Sequence, residues 1–425
     1  MFQPPRGTRD WLPEENIKRR VVSERIREVF ERYGYGEVVT PAFEHLDLLV
    51  AKAGEEVKQQ IYWFKDKAGR SLGLRFELTT PIARIVASRL DMPRPIRFYY
   101  IQPVWRYEEP QKGRYREFWQ AGIELIGVSG PEGDAEVIAV TYRSIRHAGL
   151  ERFSIHVSDR RIVEEIVLQS GISAERLDDA LRVLDKLDKR GKDYVIEELV
   201  KMGANESSVE EMLSTLEEGS LDLDLKSDRG KEGLNHLSRT VELLNDSYSI
   251  KVKVDYSIVR GLAYYTGLVF EVKTGVTGEM GSIAGGGRYD DLVSIVGGPH
   301  IPATGMSIGL ERLIESLLIE GKLKEFTYRN DVVVIPVKYS WDILKKCIEI
   351  AEKIRAGGLS TIVDYSVRSL TKSLEKASKR GFRFAVIIGP KELKENQVTL
   401  RDLENWKEYK VSIDNILDAI KRGKT

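Results

Sequence analysis

Residues 104–125 constrain the fold more than any other segment of this sequence. Their pattern predicts two β-strands joined by a tight, basic loop at residues 110–113. The returning strand has two distinct faces. One carries Trp119, Ala121, Ile123 and Leu125, and the other carries Phe118, Gln120, Gly122 and Glu124. A strand with one apolar face packs that face against a core, so an amide and a carboxylate are presented on the opposite side.

Two interpretations of this polar face remain open from the spacing alone. An antiparallel sheet often leaves one face in water, which makes the polar residues ordinary surface groups. Alternatively, Arg106 and Glu108, which we place on the outgoing strand, join Gln120 and Glu124 in a site for a small polar ligand and an anion.

A second segment, residues 71–80, shows the same alternation. Its apolar positions are Leu72, Leu74, Phe76 and Leu78, and its polar face carries Gly73, Arg75, Glu77 and Thr79. We expect a strand here, followed by a helix that Pro81 opens. The polar face of residues 104–125 would then continue onto a second strand, and we call this combined surface the polar front.

Arginine is the recurring cation of this predicted polar front. The guanidinium group binds phosphate or carboxylate through two parallel hydrogen bonds. The candidates are Arg75, Arg106, Arg260 and Arg312. No glycine-rich loop ends in Gly-Lys-Ser/Thr, so any phosphate would be bound by arginines and metal ions. The three glycines at 285–287 predict a loop or a backbone laid against a ligand, not the core of a strand.

Composition narrows the class of protein. A chain of 425 residues is long enough for two or three domains with cores of their own. Its single cysteine, Cys347, excludes an internal disulfide, and the five histidines form no i, i+4 pair typical of a metal-binding helix. No apolar run is long enough to span a bilayer and the N-terminus lacks a signal pattern, so we expect a cytoplasmic protein with no membrane partner.

The hydrophobic pattern of the sequence changes along the chain. Residues 160–247 show helical periodicity, with Ser208 and Glu211 at capping-box spacing. After residue 329, strand and helix patterns alternate, which predicts a small α/β domain with parallel strands. This last part holds 20 lysines and arginines and 13 aspartates and glutamates, a net charge of +7 that favours an anionic partner.

The order of these segments resembles the class II aminoacyl-tRNA synthetases of subclass IIa, and specifically the histidyl-tRNA synthetase family. The opening PRGTRDWLPEE (5–15) is similar to that of the family, and EVVTPAFE (37–44) resembles motif 1. LRFELTTPIAR (74–84) is similar to the segment that holds the amino group of the amino acid. YEEPQKGRYREFWQAGIE (107–124) resembles motif 2, and GLERL (309–313) resembles motif 3. RGLAYYTG (260–267) and AGGGRYDDL (284–292) resemble the two histidine-specific signatures.

The resemblance implies an α+β catalytic domain built on an antiparallel sheet, with a helical insertion and a C-terminal α/β anticodon-binding domain. It divides the chain into a first catalytic part (1–159), the insertion (160–247), a second catalytic part (248–322) and the anticodon-binding domain (329–425). It also implies a homodimer that forms through the motif 1 region around Pro41, and an insertion that contacts the acceptor arm of the tRNA.

The resemblance also assigns roles to individual residues. Glu77 and Thr79 would hold the α-amino group of histidine. Glu124 and Tyr264 would recognise the imidazole, while Gln120 and Tyr265 position the substrate. Arg106 would bind the α-phosphate of ATP and Arg312 the γ-phosphate, with the adenine between Arg312 and Phe118. Glu108 is also expected in the ATP site, and Arg260 would stabilise the charge that develops at the α-phosphate. The implied catalytic residues are thus Arg260, Arg106 and Gln120.

The implied activity is the ATP-dependent activation of L-histidine, followed by transfer to the 3′ end of tRNA(His), with Mg²⁺ as cofactor through unidentified ligands. One departure is Ala263, which replaces the usual aspartate of the first signature. The main alternative is the non-catalytic, histidine-binding regulatory subunit of ATP phosphoribosyltransferase, which shares the fold. Two further alternatives are a tRNA-binding protein with an inactive catalytic body and a synthetase for another amino acid.

Overall fold

The computed structural model of the chain describes residues 2–51, 55–110, 113–258, 264–275, 281–323, 330–366 and 369–422. The chain divides into two compact units, Met1–Phe326 and Thr327–Thr425. Within the described residues, no helix combines the length and the apolar character needed to cross a membrane.

The first half of the first unit contains the predicted hairpin and the helices that pack near it. In chain order its elements are α1 (Pro13–Arg32), β1 (Gly36–Glu37), β2 (Phe43–His45), α2 (Leu46–Val50), β3 (Trp63–Lys65), β4 (Ser71–Leu74), α3 (Thr79–Ser88), β5 (Ile96–Trp105), β6 (Glu117–Ile126), α4 (Pro131–Ala148) and β7 (Phe153–Asp159).

The rest of the first unit is a helical stretch followed by a return to the sheet. Its elements are α5 (Arg160–Gln169), α6 (Leu177–Leu184), α7 (Leu187–Arg190), α8 (Lys192–Lys201), α9 (Glu206–Glu218), α10 (Asp228–Glu242), β8 (Lys253–Val254), β9 (Leu268–Thr274), β10 (Ser282–Arg288), α11 (Leu292–Ile295), β11 (Ala303–Gly309) and α12 (Leu310–Ile319).

An eight-stranded sheet organises this unit, in the order β1-β5-β6-β11-β10-β9-β7-β8. Its interior pairs are antiparallel, and only the outer pairs β1–β5 and β7–β8 are parallel. The predicted hairpin is confirmed as β5 and β6, which pair from Ile96↔Ile126 to Trp105↔Glu117. The expectation of an antiparallel α+β fold is therefore correct.

The back of the sheet forms the core of the unit. Ala121, Ile123 and Leu125 of β6 are buried there with Val22 and Ile26 of α1. The helices of residues 160–247 bury their apolar faces in the same core. Helix α9 begins earlier than predicted, because Asn205 and not Ser208 caps it, accepting a hydrogen bond from the backbone N–H of Ser207 (3.0 Å).

Two strands are shorter than the sequence predicted. Strand β5 ends at Trp105, so Arg106 and Glu108 lie in the connection to β6 and not on the strand. The segment 71–80 is a strand only to Leu74, because Thr79 already starts α3. Strand β4 belongs to a separate three-stranded sheet, ordered β2-β4-β3.

The second unit has its own five-stranded sheet, in the order β13-β12-β14-β15-β16. Its elements are β12 (Asn330–Pro336), α13 (Trp341–Ala356), β13 (Thr361–Val363), α14 (Leu370–Lys379), β14 (Phe382–Ile388), α15 (Pro390–Glu395), β15 (Gln397–Asp402), β16 (Lys407–Ser412) and α16 (Ile416–Arg422). The predicted parallel strands are β12, β13 and β14, whereas β15 and β16 add an antiparallel hairpin. Cys347 is buried in this core, and burial raises its pKa to about 12.

Candidate active site

A cavity of about 680 Å³ lies on the front face of the eight-stranded sheet. Its size is in the range of small-molecule binding sites. Among the residues that line it are nine of the sequence-predicted site residues: Glu77, Thr79, Arg106, Glu108, Phe118, Gln120, Tyr264, Tyr265 and Arg312. The front face is therefore a concave site and not merely a wet surface.

Glu124 lies at the buried end of this face and is 1% exposed; it is not among the residues that line the cavity, but Thr79 and Tyr289, which bond it, are. Its Oε1 accepts a hydrogen bond from the hydroxyl of Thr79 (2.8 Å), and its Oε2 accepts one from the hydroxyl of Tyr289. Gly305 lies opposite Glu124 on β11, where a side chain would collide with the carboxylate. The fold thus holds this carboxylate in one orientation.

Tyr264 and Tyr265 contact each other beside Glu124. The hydroxyl of Tyr264 donates to that of Tyr265 over 2.7 Å, and the ring centroids are 4.1 Å apart. Burial, more than any other factor, raises the pKa of both phenols above the usual value, so both are protonated at neutral pH. Protonated hydroxyls can donate to and accept from a ligand.

Glu77 and Thr79 lie at the start of α3. The carboxylate of Glu77 accepts the backbone N–H groups of Thr79 (2.8 Å) and Thr80 (3.0 Å), so it caps this helix. Both residues also line the cavity. A carboxylate that lines a cavity is a suitable partner for a ligand cation.

Gln120 supplies an unsatisfied acceptor in the middle of the cavity wall. Its side chain is only 8% exposed, and its Oε1 accepts no hydrogen bond from the residues that the structure describes. A buried carbonyl oxygen without a donor is costly, and such an atom in a cavity wall is a natural partner for a ligand N–H group.

Arg106 and Phe118 form the other end of the cavity. The guanidinium carbon of Arg106 lies 5.1 Å from the ring centroid of Phe118, and Nε donates to the carbonyl of Phe76 (2.9 Å). Burial lowers the pKa of Arg106, against the opposing effect of Glu108, but an arginine remains charged at neutral pH. Glu108 itself pairs with Arg114, another lining residue.

Arg312 reaches the same cavity from the first turn of α12. Its Nη1 donates to the carbonyl of Ser282 (2.7 Å), whose hydroxyl donates to Glu271 (2.5 Å). Ser282 and Glu271 line the cavity, although the sequence pattern did not single them out. Register pairing across β9 and β10 brings them together, and that pairing is invisible in local spacing.

Arg75 is not part of the site, contrary to expectation. It is 4% exposed and donates to the carbonyls of Thr40 (2.5 Å), Pro41 (3.1 Å) and Pro103 (3.0 Å). This arginine joins the segment after β1 to the end of β5, so its role is structural. The sequence-predicted Arg260 and the substituted Ala263 lie outside the described residues.

The three glycines at 285–287 lie within strand β10, which corrects the predicted loop. A Cβ atom on Gly287 would approach the Cα of Val269 to 3.0 Å, and one on Gly286 would lie 2.8 Å from the Cα of Met306. The glycines therefore allow close packing of β10 between its neighbours. The strand ends at Arg288, which is buried and pairs with Asp134 (2.8 Å) behind the site.

Along β6 the two ends of the cavity are well separated. Phe118, Gln120 and Glu124 share one face of this strand, and the rise of about 3.3 Å per residue puts Phe118 and Glu124 roughly 20 Å apart. A carboxylate with two tyrosines marks one end, two arginines and an aromatic ring mark the other, and an unsatisfied amide lies between them. The site suits an elongated ligand with a hydrogen-bonding ring at one end and phosphates at the other.

Comparison with known proteins gives the family. A model described as histidyl-tRNA synthetase matches residues 7–313, and a model described as anticodon binding domain matches residues 331–423. The histidine–tRNA ligase of Pyrococcus horikoshii is 42% identical to this chain, and the alignment covers 99% of each protein.

Solved structures agree in fold. The histidyl-tRNA synthetase from Nostoc sp. PCC 7120 matches with a TM-score of 0.81 at 27% identity, covering 99% of both chains. An ATP phosphoribosyltransferase regulatory subunit/histidyl-tRNA synthetase from Bacillus halodurans matches with a TM-score of 0.77 at 26% identity, covering 92% of this chain and 98% of that one. With a family model matched over most of its length and a relative 42% identical from end to end, this chain belongs to the histidyl-tRNA synthetase family of class II aminoacyl-tRNA synthetases.

Proposed function

We propose that the cavity on the front of the sheet is where this chain forms histidyl-adenylate from L-histidine and ATP, before the histidyl group passes to the 3′ end of tRNA(His). The observation that carries this proposal is the arrangement along β6. A hydrogen-bonding end at Glu124 and a cationic end at Phe118, over which Arg106 of the β5–β6 connection lies, are separated by the unsatisfied acceptor of Gln120.

The histidine end is the buried one. Glu124, oriented by Thr79 and Tyr289, accepts an imidazole N–H, and the hydrogen-bonded hydroxyl pair of Tyr264 and Tyr265 contacts the second ring nitrogen. Glu77, Thr79 and Gln120 accept hydrogen bonds from the α-ammonium group. Tyr265 holds Tyr264 in place through the hydrogen bond between their hydroxyls.

The ATP end lies at the arginines. Arg106 binds the α-phosphate and Arg312 the γ-phosphate, and the adenine stacks between Arg312 and Phe118. Glu108 contributes to this end through its pair with Arg114. Arg260 completes the set at the reacting phosphate on the basis of the family resemblance.

The chemical step needs alignment more than covalent help from the protein. The carboxylate of histidine attacks the α-phosphorus, pyrophosphate leaves, and the 3′-hydroxyl of the tRNA then takes the histidyl group from AMP. Holding the two substrates in line removes much of the entropic barrier. Arginines placed where negative charge accumulates stabilise the transition state.

Mg²⁺ fits the acidic side of the phosphate end. The described residues hold no cluster of three or more potential metal ligands, but Mg²⁺ binds through one or two carboxylates together with substrate phosphates. Glu271, linked through Ser282 to Arg312, is the carboxylate we assign to this role. The bound ion would neutralise phosphate charge.

The second unit is proposed to bind the anticodon. It carries the net charge of +7 and matches the anticodon-binding family model. Tyr339, Trp341 and Tyr365 are more than half exposed, next to the carboxyl ends of β12 and β13. Exposed aromatic rings on a basic surface are suited to stack on unpaired RNA bases.

A homodimer is proposed on the evidence of an apolar surface near motif 1. Val39, Phe43, Trp63 and Phe64 are large apolar residues that are 74%, 50%, 49% and 42% exposed. Phe43 and Phe64 contact each other, with ring centroids 6.3 Å apart. Such an exposed cluster is typical of a surface that a partner covers. We further propose that residues 160–247 act as an insertion between the two catalytic parts, 1–159 and 248–322, and contact the acceptor arm.

The regulatory-subunit alternative is less well supported. Arg106 and Arg312 are present in the cavity, and an anticodon-binding unit follows. A purely regulatory histidine-binding protein needs neither feature. The deciding test is charging of a tRNA(His) transcript by the purified chain with radiolabelled histidine and ATP. Accumulation of histidyl-tRNA supports the proposal, and histidine binding without charging would favour the regulatory role.

A further inference from the structure

The N-terminal segment 5–11, here called the strap, lies against the connection between β5 and β6. The backbone N–H of Arg116 donates to the carbonyl of Gly7 (2.7 Å), and Arg6 pairs with Glu109 (2.8 Å). A turn closed by Thr8 and Pro5 (3.0 Å) shapes the strap at this point. The strap therefore contacts both sides of a connection whose residues line the cavity.

Gly7 shows how closely the two segments approach. Its φ is +83°, a left-handed conformation that favours glycine. A Cβ atom there would lie 2.7 Å from Cγ of Arg116 and 3.0 Å from Cγ of Pro110. Both the backbone conformation and the available space thus require glycine at this position of the strap.

Arg9 contacts two aromatic rings. Its guanidinium carbon is 3.7 Å from the ring centroid of Trp11 and 4.3 Å from that of Tyr115, and its Nη1 donates to the Tyr115 hydroxyl (3.2 Å). A planar guanidinium can stack on an aromatic ring on each of its faces. Tyr115 in turn lines the cavity.

The stack continues toward the sheet. Arg19 of α1 lies 4.9 Å from the Trp11 ring and 4.0 Å from the Trp119 ring of β6. The backbone N–H of Trp119 then donates to Glu311 of α12 (3.0 Å), which lines the cavity and lies near both arginines. Cations and rings alternate from Tyr115 through Arg9, Trp11 and Arg19 to Trp119, and we call this series the cation–π column.

We propose that the strap is a positioning element for the β5–β6 connection, with Arg9 as its central residue, and that it holds Tyr115 and Arg114 at the phosphate end of the cavity. Arg9 itself is a positioning residue, because it acts through Tyr115. The effect on ATP rests on the proposed function, whereas the effect on the connection does not.

Two measurements on the full-length chain separate these parts. The first is the rate of tryptic cleavage at the Arg114–Tyr115 bond, followed by mass spectrometry under native conditions, because cleavage of a packed connection requires local opening. We expect Arg9→Ala to raise this rate at least fivefold. The matched control is Arg190→Ala, which removes an arginine 5.7 Å from the Tyr194 ring, away from the cavity.

The second measurement is steady-state ATP–pyrophosphate exchange. Arg9→Ala is expected to raise the KM for ATP roughly tenfold, since small misplacements of binding groups have effects of this order or larger. The KM for histidine should stay within twofold, because that end of the cavity lies elsewhere on β6. Arg9→Lys, which keeps the charge but loses the planar stack, should recover part of the loss.

The cleavage rate tests the effect of Arg9 on the β5–β6 connection, and the KM values test its effect on the phosphate end. A cleavage rate in Arg9→Ala equal to that of the wild type would overturn the positioning role, whatever reaction the cavity performs. Faster cleavage with an unchanged KM for ATP, or an equal rise in both KM values, would overturn the link to the phosphate end. If Arg9→Ala fails to fold, Tyr115→Leu removes the same stack from the side of the connection and must give the same pair of effects.

Discussion

At the scale of single residues, the proposed selection of histidine depends on how Glu124 is held. Its two oxygens already accept hydroxyl groups from Thr79 and Tyr289, and Gly305 leaves it just enough room. A carboxylate in this setting is an acceptor only, so the ligand must bring a donor. An imidazole N–H satisfies this requirement.

We expect Glu124→Gln to raise the KM for histidine roughly 10- to 150-fold, because a buried hydrogen bond to a charged group contributes about 1.5–3 kcal/mol. The KM for ATP should hardly change. Pyrophosphate exchange at varied histidine and ATP concentrations measures both values. Glu136→Gln is the matched control, because Glu136 also accepts a tyrosine hydroxyl but lies on α4, and its partners Tyr35 and Arg97 do not line the cavity. An unchanged KM for histidine in Glu124→Gln would remove Glu124 from the site.

For Arg260 we predict a loss of rate and not of binding, because its proposed role begins only when charge develops on the α-phosphate. Arg260→Ala should lower the rate of adenylate formation by about 10²–10³, the usual loss on removing a preorganised donor. Histidine binding, measured by calorimetry, should change little. Arg239→Ala, on an exposed face of α10, provides the control. Near-normal exchange in Arg260→Ala would contradict the assignment.

At the scale of secondary-structure elements, Glu311 joins β6 to α12. It is 5% exposed, accepts the N–H of Trp119 and lies near Arg9 and Arg19. Burial raises its pKa from 4.5 to about 7 despite these favourable partners. The folded state therefore keeps a proton on this carboxyl at pH values where the unfolded state has lost it.

This shift predicts a pH dependence with a definite sign. Between about pH 4.5 and 7 the folded state binds more protons at Glu311, so its contribution to stability falls as pH rises, by up to about 1.4 kcal/mol per pH unit. Thermal unfolding of the wild type and of Glu311→Gln at pH 5, 6 and 7 tests this. As pH rises, the unfolding temperature of the wild type should fall relative to that of Glu311→Gln. If the two unfolding temperatures change with pH in parallel, Glu311 titrates normally.

The elements also show what the sequence could and could not predict. Alternation identified β6 and its two faces, because one face must be buried whatever the rest of the chain does. The same alternation overextended the strand at 71–80, since α3 starts where Glu77 caps it. Three consecutive glycines predicted a loop or a backbone laid against a ligand; they lie in β10, whose neighbours pack closely on both sides, and Gly285 and Gly286 line the cavity.

Site residues could be predicted where local spacing placed them together, and not where only the fold brings them together. Gln120 and Glu124 could be singled out because they share one face of a strand, and Arg106 and Arg312 because arginines recur on the predicted polar face; the family resemblance added only their separate phosphate roles. Arg75 was misassigned, because only the structure reveals the three carbonyls that it binds. Tyr289, Glu271 and Tyr115 reach the cavity through strand register and the β5–β6 connection, and neither is encoded in local spacing.

At the scale of the whole molecule, the two units have separate hydrophobic cores. The sheet of the first unit is packed around residues such as Ile123 and Val157, and that of the second around Val334 and Val386. Among the described residues, those that line the cavity all belong to the first unit. Chemistry and anticodon recognition are thus proposed to reside in different units.

Removal of residues 329–425 should accordingly leave histidine-dependent pyrophosphate exchange within a few-fold of the wild-type rate and abolish charging of tRNA(His). The milder pair Trp341→Ala and Tyr365→Ala should raise the KM for tRNA with exchange unaffected, which controls for damage caused by truncation. A truncated chain that charges tRNA at the wild-type rate would refute the role of the second unit.

The central claim is that the cavity activates histidine with ATP. Histidine-dependent ATP–pyrophosphate exchange by the purified full-length chain tests it most directly, with each of the other amino acids supplied in parallel. We predict that exchange requires histidine and that no other amino acid supports it at a comparable rate. Absence of exchange with histidine, or faster exchange with a different amino acid, would contradict the account.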